Sequence, residues 1–417
     1  MTGTLAPSKA LRVLLARIGG VAGALVLGQV ILGLTYIIAA RAITPAVLGT
    51  VSTCVAISTI AALAFDAGLS NLLVREVASQ RLTLQEARAL VRSKRRLAVA
   101  LLAPLLVANL TIAPAVGTGV LLGCYGLAVW EAQTANSLLR AQEQFWRAAI
   151  GQLSGRMVGL AVVAVAFLIA PHAFAVDYAF PAGLISAFVV EAVIDRAFLG
   201  PPRARARPQR EAWVHYREGL GYGLASLAAS AQQLDTPLVA AGGGMVSAGL
   251  YSAAGRLLNP LGFLATSLGL VGAPALARVN HDPNLLHIEE RRLLRVTACA
   301  ALAPLIAAAA GPFIIPLLLG DTYRASGTVF AILAVGSVFS TINQPLAMVV
   351  QNRGYQTIVA VAVATGLGIG LAATYVLALL GGATWAAGGF MVSQLYILTH
   401  LGLTTRRLRK RAEEKRA

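Results

Sequence analysis

Long charge-free apolar runs recur from one end of the chain to the other. They cover Ile18–Ala40, Ala42–Phe65, Leu97–Trp130, Met157–Val176, Thr236–Gly255, Leu257–Ala277, Val296–Gly320, Ala325–Asn352 and Gly354–Thr405. A helix needs roughly 20 apolar residues to cross about 30 Å of hydrocarbon, so each run predicts at least one spanning helix. The last is long enough for two, with a break near Gly381 and Gly382. Leu97–Trp130 folds back around Ala113–Gly117, and its second helix runs on past Glu131. Two further spans each admit one acid: Tyr178–Ile194 through Glu191, and Leu220–Ala241 through Asp235. Thr236–Gly255 then holds the end of that last span, a turn at Gly242–Ala248, and the start of a helix continuing to Ala277. The pattern predicts twelve spans.

Composition agrees with an integral membrane protein: 57% hydrophobic and 12% charged, with mean hydropathy +0.74, against about 25% charged in an average soluble domain. The 34 basic and 17 acidic residues leave a net charge of +17, which in a soluble chain suggests nucleic acid. Laid on twelve alternating spans, however, 31 of the 34 fall on one side, Arg41 and Arg324 on the other, and Arg256 within a span. Positive loops resist translocation, so that asymmetry reads as orientation. It predicts a multi-pass plasma-membrane protein with both termini cytoplasmic and no nucleic-acid partner. The N-terminal basic residues and apolar run, without a small-residue cleavage site, read as a retained signal anchor. On the basic side, Arg75–Arg96 is expected to lie along the surface as a helix, and Pro201–Arg210 to act as a flexible linker near mid-chain. Outside loops are short and nearly uncharged, which argues against an active-site domain and hence against an enzyme. Cys54, Cys124 and Cys299 all sit in apolar runs, and no histidine pair has metal spacing, so neither disulfide, zinc site nor other cofactor is expected. No Walker loop or dinucleotide fingerprint stands in a credible context.

Shifting the sequence by 200 residues aligns Leu102-Ala103-Pro104-Leu105 with Leu302-Ala303-Pro304-Leu305, and Gly49 and Ser52 with Gly249 and Ser252. Six spans per half is an even number, so both halves cross in the same sense. The expected fold is all-α and polytopic, with twelve transmembrane helices in two parallel-repeat six-helix lobes around a central cavity, the plan of a rocking transporter. The lobes would be residues 1–205 and 206–405, followed by a basic cytoplasmic tail at 406–417.

Thr35–Ser52 (TYIIAARAITPAVLGTVS) and Phe65–Ala78 (FDAGLSNLLVREVA) resemble the first two spans of bacterial polysaccharide flippases. Asp235, Gly249–Arg256 (GLYSAAGR) and Pro316–Ala325 (PLLLGDTYRA) repeat the style in the second half. Such proteins belong to the multidrug/oligosaccharidyl-lipid/polysaccharide exporter (MOP) superfamily. The resemblance implies alternating-access movement of undecaprenyl-pyrophosphate-linked oligosaccharide from the inner to the outer leaflet, for surface polysaccharide biosynthesis of the O-antigen type. It also implies work beside glycosyltransferases and a polymerase. A drug/cation antiporter and a lipid II flippase share the architecture and remain alternatives; a membrane polysaccharide polymerase fits the short outside loops less well.

Charges within spans are costly and usually face the bundle interior. Arg41 and Arg256 are the candidates for gripping a pyrophosphate, because a guanidinium forks onto phosphate oxygens; anchoring at a helix end is the other reading for Arg41. Asp235 and Arg256 fall at similar depth in the outer half, where they could pair structurally. Asp235 could instead exchange between Arg256 and a coupling H⁺ or Na⁺. Glu131, near the middle of its span, and Glu191, towards the cytoplasmic end of its own, are interior acids open to either a structural or a coupling role. Asp66 and Arg75 could clasp an inner gate or simply close a helix end. If Asp235 couples transport, Asp235→Asn should remove the pH or Na⁺ dependence of uptake into vesicles; unchanged dependence excludes the role.

Overall fold

In the computed structural model, the described residues are 7–113, 115–169, 173–201, 230–279 and 283–414. They are almost wholly helical, with no strand among them. The helices are α1 (Pro7–Ala42), α2 (Pro45–Asp66), α3 (Leu69–Ala78), α4 (Leu84–Ile112), α5 (Val116–Ala141), α6 (Phe145–Ile169) and α7 (Ala173–Leu199). After the undescribed stretch come α8 (Asp235–Val279), α9 (Pro283–Leu319), α10 (Arg324–Asn352) and α11 (Gln356–Glu414). α8 turns at Gly244 (φ 79°) and α11 at Gly381–Gly382 (φ 62° at Gly382), both where the sequence predicts breaks. A backbone free of a Cβ is what such left-handed turns require. Counting α8 and α11 as two each, and leaving out the ten-residue α3, gives twelve helices among the described residues, six before and six after the undescribed stretch, which matches the number of spans expected. Large apolar side chains remain bare on their outer faces, such as Ile169 (78% exposed) and Phe313 (79%). Water would not tolerate so much exposed apolar surface, whereas lipid does.

Local chemistry sets the ends. Pro45 and Pro283 open α2 and α9, where a missing N–H costs nothing and the fixed φ suits the first turn. α2 gives way to α3 through Ala67 and Gly68, both at positive φ. Thr83 starts α4 with a capping box: its hydroxyl accepts from Glu86 N (3.3 Å), while the Glu86 carboxylate accepts from Thr83 N (2.9 Å). Those bonds hold the exposed Glu86 carboxyl below its ordinary pKa.

The capping box corrects one expectation. Arg75–Arg96 is not a single surface-lying helix. Arg75 sits in α3, and Leu84–Arg96 forms the first turns of α4, continuous with the apolar stretch from Leu97. The physical reason is that Thr83 fixes a start and nothing interrupts the helix before Ile112; the internal Pro104 does not break it. The expected linker and the 205/206 boundary lie outside the described residues, apart from Pro201.

Contacts divide the chain into two compact units, Met1–Ile43 with Cys54–Ala231, and Thr44–Thr53 with Gln232–Ala417. In the first, α6 and α7 touch backbone to backbone. A Cβ at Gly155 would fall 2.2 Å from Ala187 O, and one at Gly159 2.7 Å from Gly183 O. Such small residues let membrane helices approach closely. Edge-to-face pairs Tyr36–Phe180 and Tyr125–Phe188, with centroids 5.0 and 5.4 Å apart, join α7 to α1 and to α5.

The second unit holds a reciprocal contact. A Cβ on Gly49 would lie 1.9 Å from Met245 O, and a Cβ on Gly249 1.8 Å from Pro45 O. The glycine and carbonyl positions are each offset by 200 residues, as in the sequence repeat. Gly49→Ala should therefore destabilise the purified protein by about 2–3 kcal/mol, the cost of overpacking against an unyielding backbone. Gly255→Ala, which meets nothing within 4 Å, should leave the detergent-solubilised melting temperature unchanged or slightly raised.

Candidate functional site

The second unit places Asp235 at the start of α8, half-buried. Its Oδ2 accepts from the Tyr251 hydroxyl at 3.0 Å, and its Oδ1 from the Thr236 backbone N–H at 2.6 Å and the Thr236 hydroxyl at 3.3 Å. The charge of Arg256, one turn beyond Tyr251, acts on the same carboxylate. Asp235 and Arg256 are thus brought together, but hydroxyl and amide donors make the direct bonds. A carboxylate ringed by hydroxyls can accept a proton or share a cation without wholesale rearrangement. Tyr251, which the sequence reading passed over, is legible only as part of the GLYSAAGR stretch. Arg41 ends α1 in the first unit and is exposed.

The first unit gathers its acids where arginines can reach them. Glu131 does not stand alone in mid-span. Arg95 engages both carboxylate oxygens, Oε1 at 2.5 Å and Oε2 at 3.0 Å, and Arg196 reaches the same Oε2, one guanidinium from α4 and one from α7. The fold-back of Leu97–Trp130 makes this possible, because α5 runs back beside α4 until Glu131 lies level with the basic residues that precede Leu97. Asp66 closes α2 and caps the start of α3. Its carboxylate accepts from Ser70 N (3.0 Å), the Ser70 hydroxyl (3.1 Å) and the Trp130 indole (3.2 Å). Lys94 Nζ donates to the Asp66 carbonyl at 2.6 Å and stands 5.1 Å from the Phe65 ring centre. Burial pushes this ammonium down to about 8, with the Asp66 charge opposing. Arg75 pairs with Glu76 at 3.4 Å.

Glu191 is buried near the end of α7, with the charges of Arg156 and Arg140 acting on it. The Arg156 guanidinium lies over the Phe188 ring at 4.4 Å. One turn further on, Asp195 is fully buried: Oδ2 accepts from Asn136 at 3.2 Å, while Oδ1 has no hydrogen-bond partner among the described residues. A Cβ at Gly151 would lie 1.9 Å from that oxygen. The sequence reading overlooked Asp195 because it stands next to the Arg-rich linker and looks solvated there. His172 and His281 fall outside the described residues, as does His215. Among those described, no cluster of three metal-ligating side chains occurs.

The second unit has its own buried pair, Arg353 to Glu290 at 2.7 Å, with side chains 22% and 2% exposed. Removing one partner of a buried pair costs about 3–5 kcal/mol; with Arg353 partly solvated, Arg353→Gln should cost about 3. Glu290→Gln in the same chain should restore most of it, as read by chemical denaturation or thermal melting; an additive double variant means the pair is not coupled.

Residues 18–280 match the model of the polysaccharide biosynthesis protein family. No curated protein matches the chain by sequence. Among solved structures, an inward-facing multidrug resistance MATE family transporter of the MOP superfamily is 16% identical, with a TM-score of 0.71 over 92% of this chain and 96% of that one. The lipid II flippase MurJ in an inward closed conformation is 11% identical, with a TM-score of 0.71 over 93% of this chain and 87% of that one. At these identities the likeness speaks for the fold alone, a helical fold shared with those transporters. With the family model covering well over half its length, the chain belongs to the polysaccharide biosynthesis protein family.

Proposed function

We propose that this protein is a flippase carrying undecaprenyl-pyrophosphate-linked oligosaccharide from the cytoplasmic to the outer leaflet of a bacterial plasma membrane. The observation that carries the reading is a polysaccharide biosynthesis family match on a chain with a MOP transporter fold. A membrane chain that serves polysaccharide assembly and has a transporter's fold has an evident task. The glycan is built on one side of the bilayer and used on the other, and its pyrophosphate and sugars cannot cross hydrocarbon unaided. In this reading both termini are cytoplasmic, and the chain works beside glycosyltransferases that make the cargo and a polymerase that consumes it.

The residues take the following parts. Arg256 holds the pyrophosphate, since a guanidinium's charge is fixed and its donors match phosphate oxygens in pairs; Arg41 is the other candidate for such a contact. Asp235, with Tyr251 and Thr236 on its oxygens, binds the coupling H⁺ or Na⁺. The ion then weakens the pull of Asp235 on Arg256 and frees the guanidinium for cargo. Depleting the protein in its native cells should make lipid-linked oligosaccharide accumulate in the inner leaflet, measurable by extraction and by lectin access in inverted vesicles. Arg256→Gln should reproduce that accumulation. Normal lipid distribution with new drug sensitivity would instead identify a drug/cation antiporter.

A further inference from the structure

We propose that the first unit carries a proton-binding site of its own, the carboxyl group of Asp195, where α5, α6 and α7 meet. It is separate from Asp235, which belongs to the second unit, and it holds whatever ion or cargo that residue serves.

Three helices build the site. Asp195 follows directly on the span expected to end at Ile194, in the last turns of α7, and is fully buried. From α5, Asn136 Nδ2 donates to Asp195 Oδ2 at 3.2 Å and to Ala148 O at 3.3 Å. An asparagine amide has two N–H donors, so both are spent and none remains for Oδ1. From α6, Gly151 presses against that oxygen: a Cβ there would lie 1.9 Å from Oδ1 and 3.5 Å from Oδ2. Oδ1 therefore meets backbone carbon, and neither a donor nor solvent reaches it among the described residues.

Charge compensation is indirect. Glu191, one turn earlier on α7, shares this helix face and adds a second buried acid. Arg140 on α5 acts on both carboxyl groups, and Arg156 on α6 acts on Glu191 while its guanidinium lies over the Phe188 ring. Arg140 is exposed, so water weakens its reach. Arg147, one turn before Gly151, turns instead to Gln144 at 3.0 Å and over the Phe198 ring. A buried carboxylate with one hydrogen bond, a like charge beside it and a screened cation is strongly disfavoured. A carboxyl group so placed takes up a proton and becomes neutral.

A metal cation fits less well. A hard cation collects about six oxygen ligands, whereas Oδ1 faces a Cα, and no group of three metal-ligating side chains occurs among the described residues. A proton needs one oxygen and no further room. With Asp195 neutral, α6 and α7 can close on one another at Gly151 without burying a charge. The unfolded chain surrenders that proton at ordinary acidity, so folding retains a proton and stability falls as pH rises.

Melting of the full-length protein in nanodiscs between about pH 5 and pH 9, a range above the ordinary aspartate value, provides the test. Asparagine has the shape of the protonated acid and cannot ionise. Asp195→Asn should melt with wild type at the acid end and several degrees above it at the alkaline end. Asp235→Asn should leave that difference intact. In infrared spectra at neutral pH, wild type should show the carbonyl stretch of a protonated acid, which Asp195→Asn loses and Asp235→Asn keeps. Should Asp195→Asn not fold, Asp195→Ser decides by the same band, and a wild-type spectrum without any such band overturns the proposal alone. An ionised Asp195 paired with Arg140 gives the opposite sign, Asp195→Asn melting below wild type at alkaline pH. That result, parallel melting curves, or a band that survives in Asp195→Asn overturns the proposal. So does a wild-type melting temperature that Na⁺ raises and choline does not, with Asp195→Asn indifferent to both, since the occupant is then a metal cation.

Discussion

Hydrocarbon supplies no hydrogen bonds, and nearly every arrangement in this protein answers that one condition. Hydroxyls turn back onto their own helices, as Thr35 does to Ile31 O at 3.0 Å and Thr341 to Ser337 O at 2.8 Å. Where a side chain bonds sideways, it ties helices together. Asn109 donates to the Ser58 hydroxyl at 3.1 Å, and Ser58 to Leu122 O at 3.0 Å, so α4, α2 and α5 are fastened in one chain. Acids obey the same condition by gathering where arginines reach them: Glu131 with Arg95 and Arg196, Glu290 with Arg353.

Packing without a hydrophobic driving force then depends on closeness. Glycine provides it twice over, along Gly151, Gly155 and Gly159 against α7, and at the reciprocal Gly49–Gly249 crossing. The crossing also gives the internal repeat a physical meaning. Equivalent residues meet each other's backbone, and Pro104 and Pro304 lie inside the equivalent helices α4 and α9. Both of those helices begin in a basic segment and continue into an apolar one, so the halves share a helix design as well as short sequence matches.

Much of this was legible in the sequence, because apolar runs and the sidedness of charge are averaged over many residues. The turns at Gly244 and at Gly381–Gly382 were readable since two spans in one run must break somewhere, and glycine breaks most easily. Side-chain partners were harder. Glu131 looked intramembrane by counting along one helix, yet its partners come from α4 and α7, 36 and 65 residues away in sequence. Asp195 looked solvated by its neighbours, and burial against Gly151 is a property of the α6–α7 contact alone. Arg75–Arg96 misled for a related reason. Its amphipathic character is real, but a capping box at Thr83 decides where the helix starts, and local bonds of that kind outrank an average.

α4 carries Arg88, Arg92 and Arg95 and the apolar segment Leu97–Ile112 on one uninterrupted rod. A bilayer thicker or thinner than that segment strains the helix at small cost per ångström, and the strain passes along the axis to Arg95, Arg92 and Arg88 together. Through this single helix, the thickness of the membrane bears on the ion pairs that Arg95 makes with Glu131.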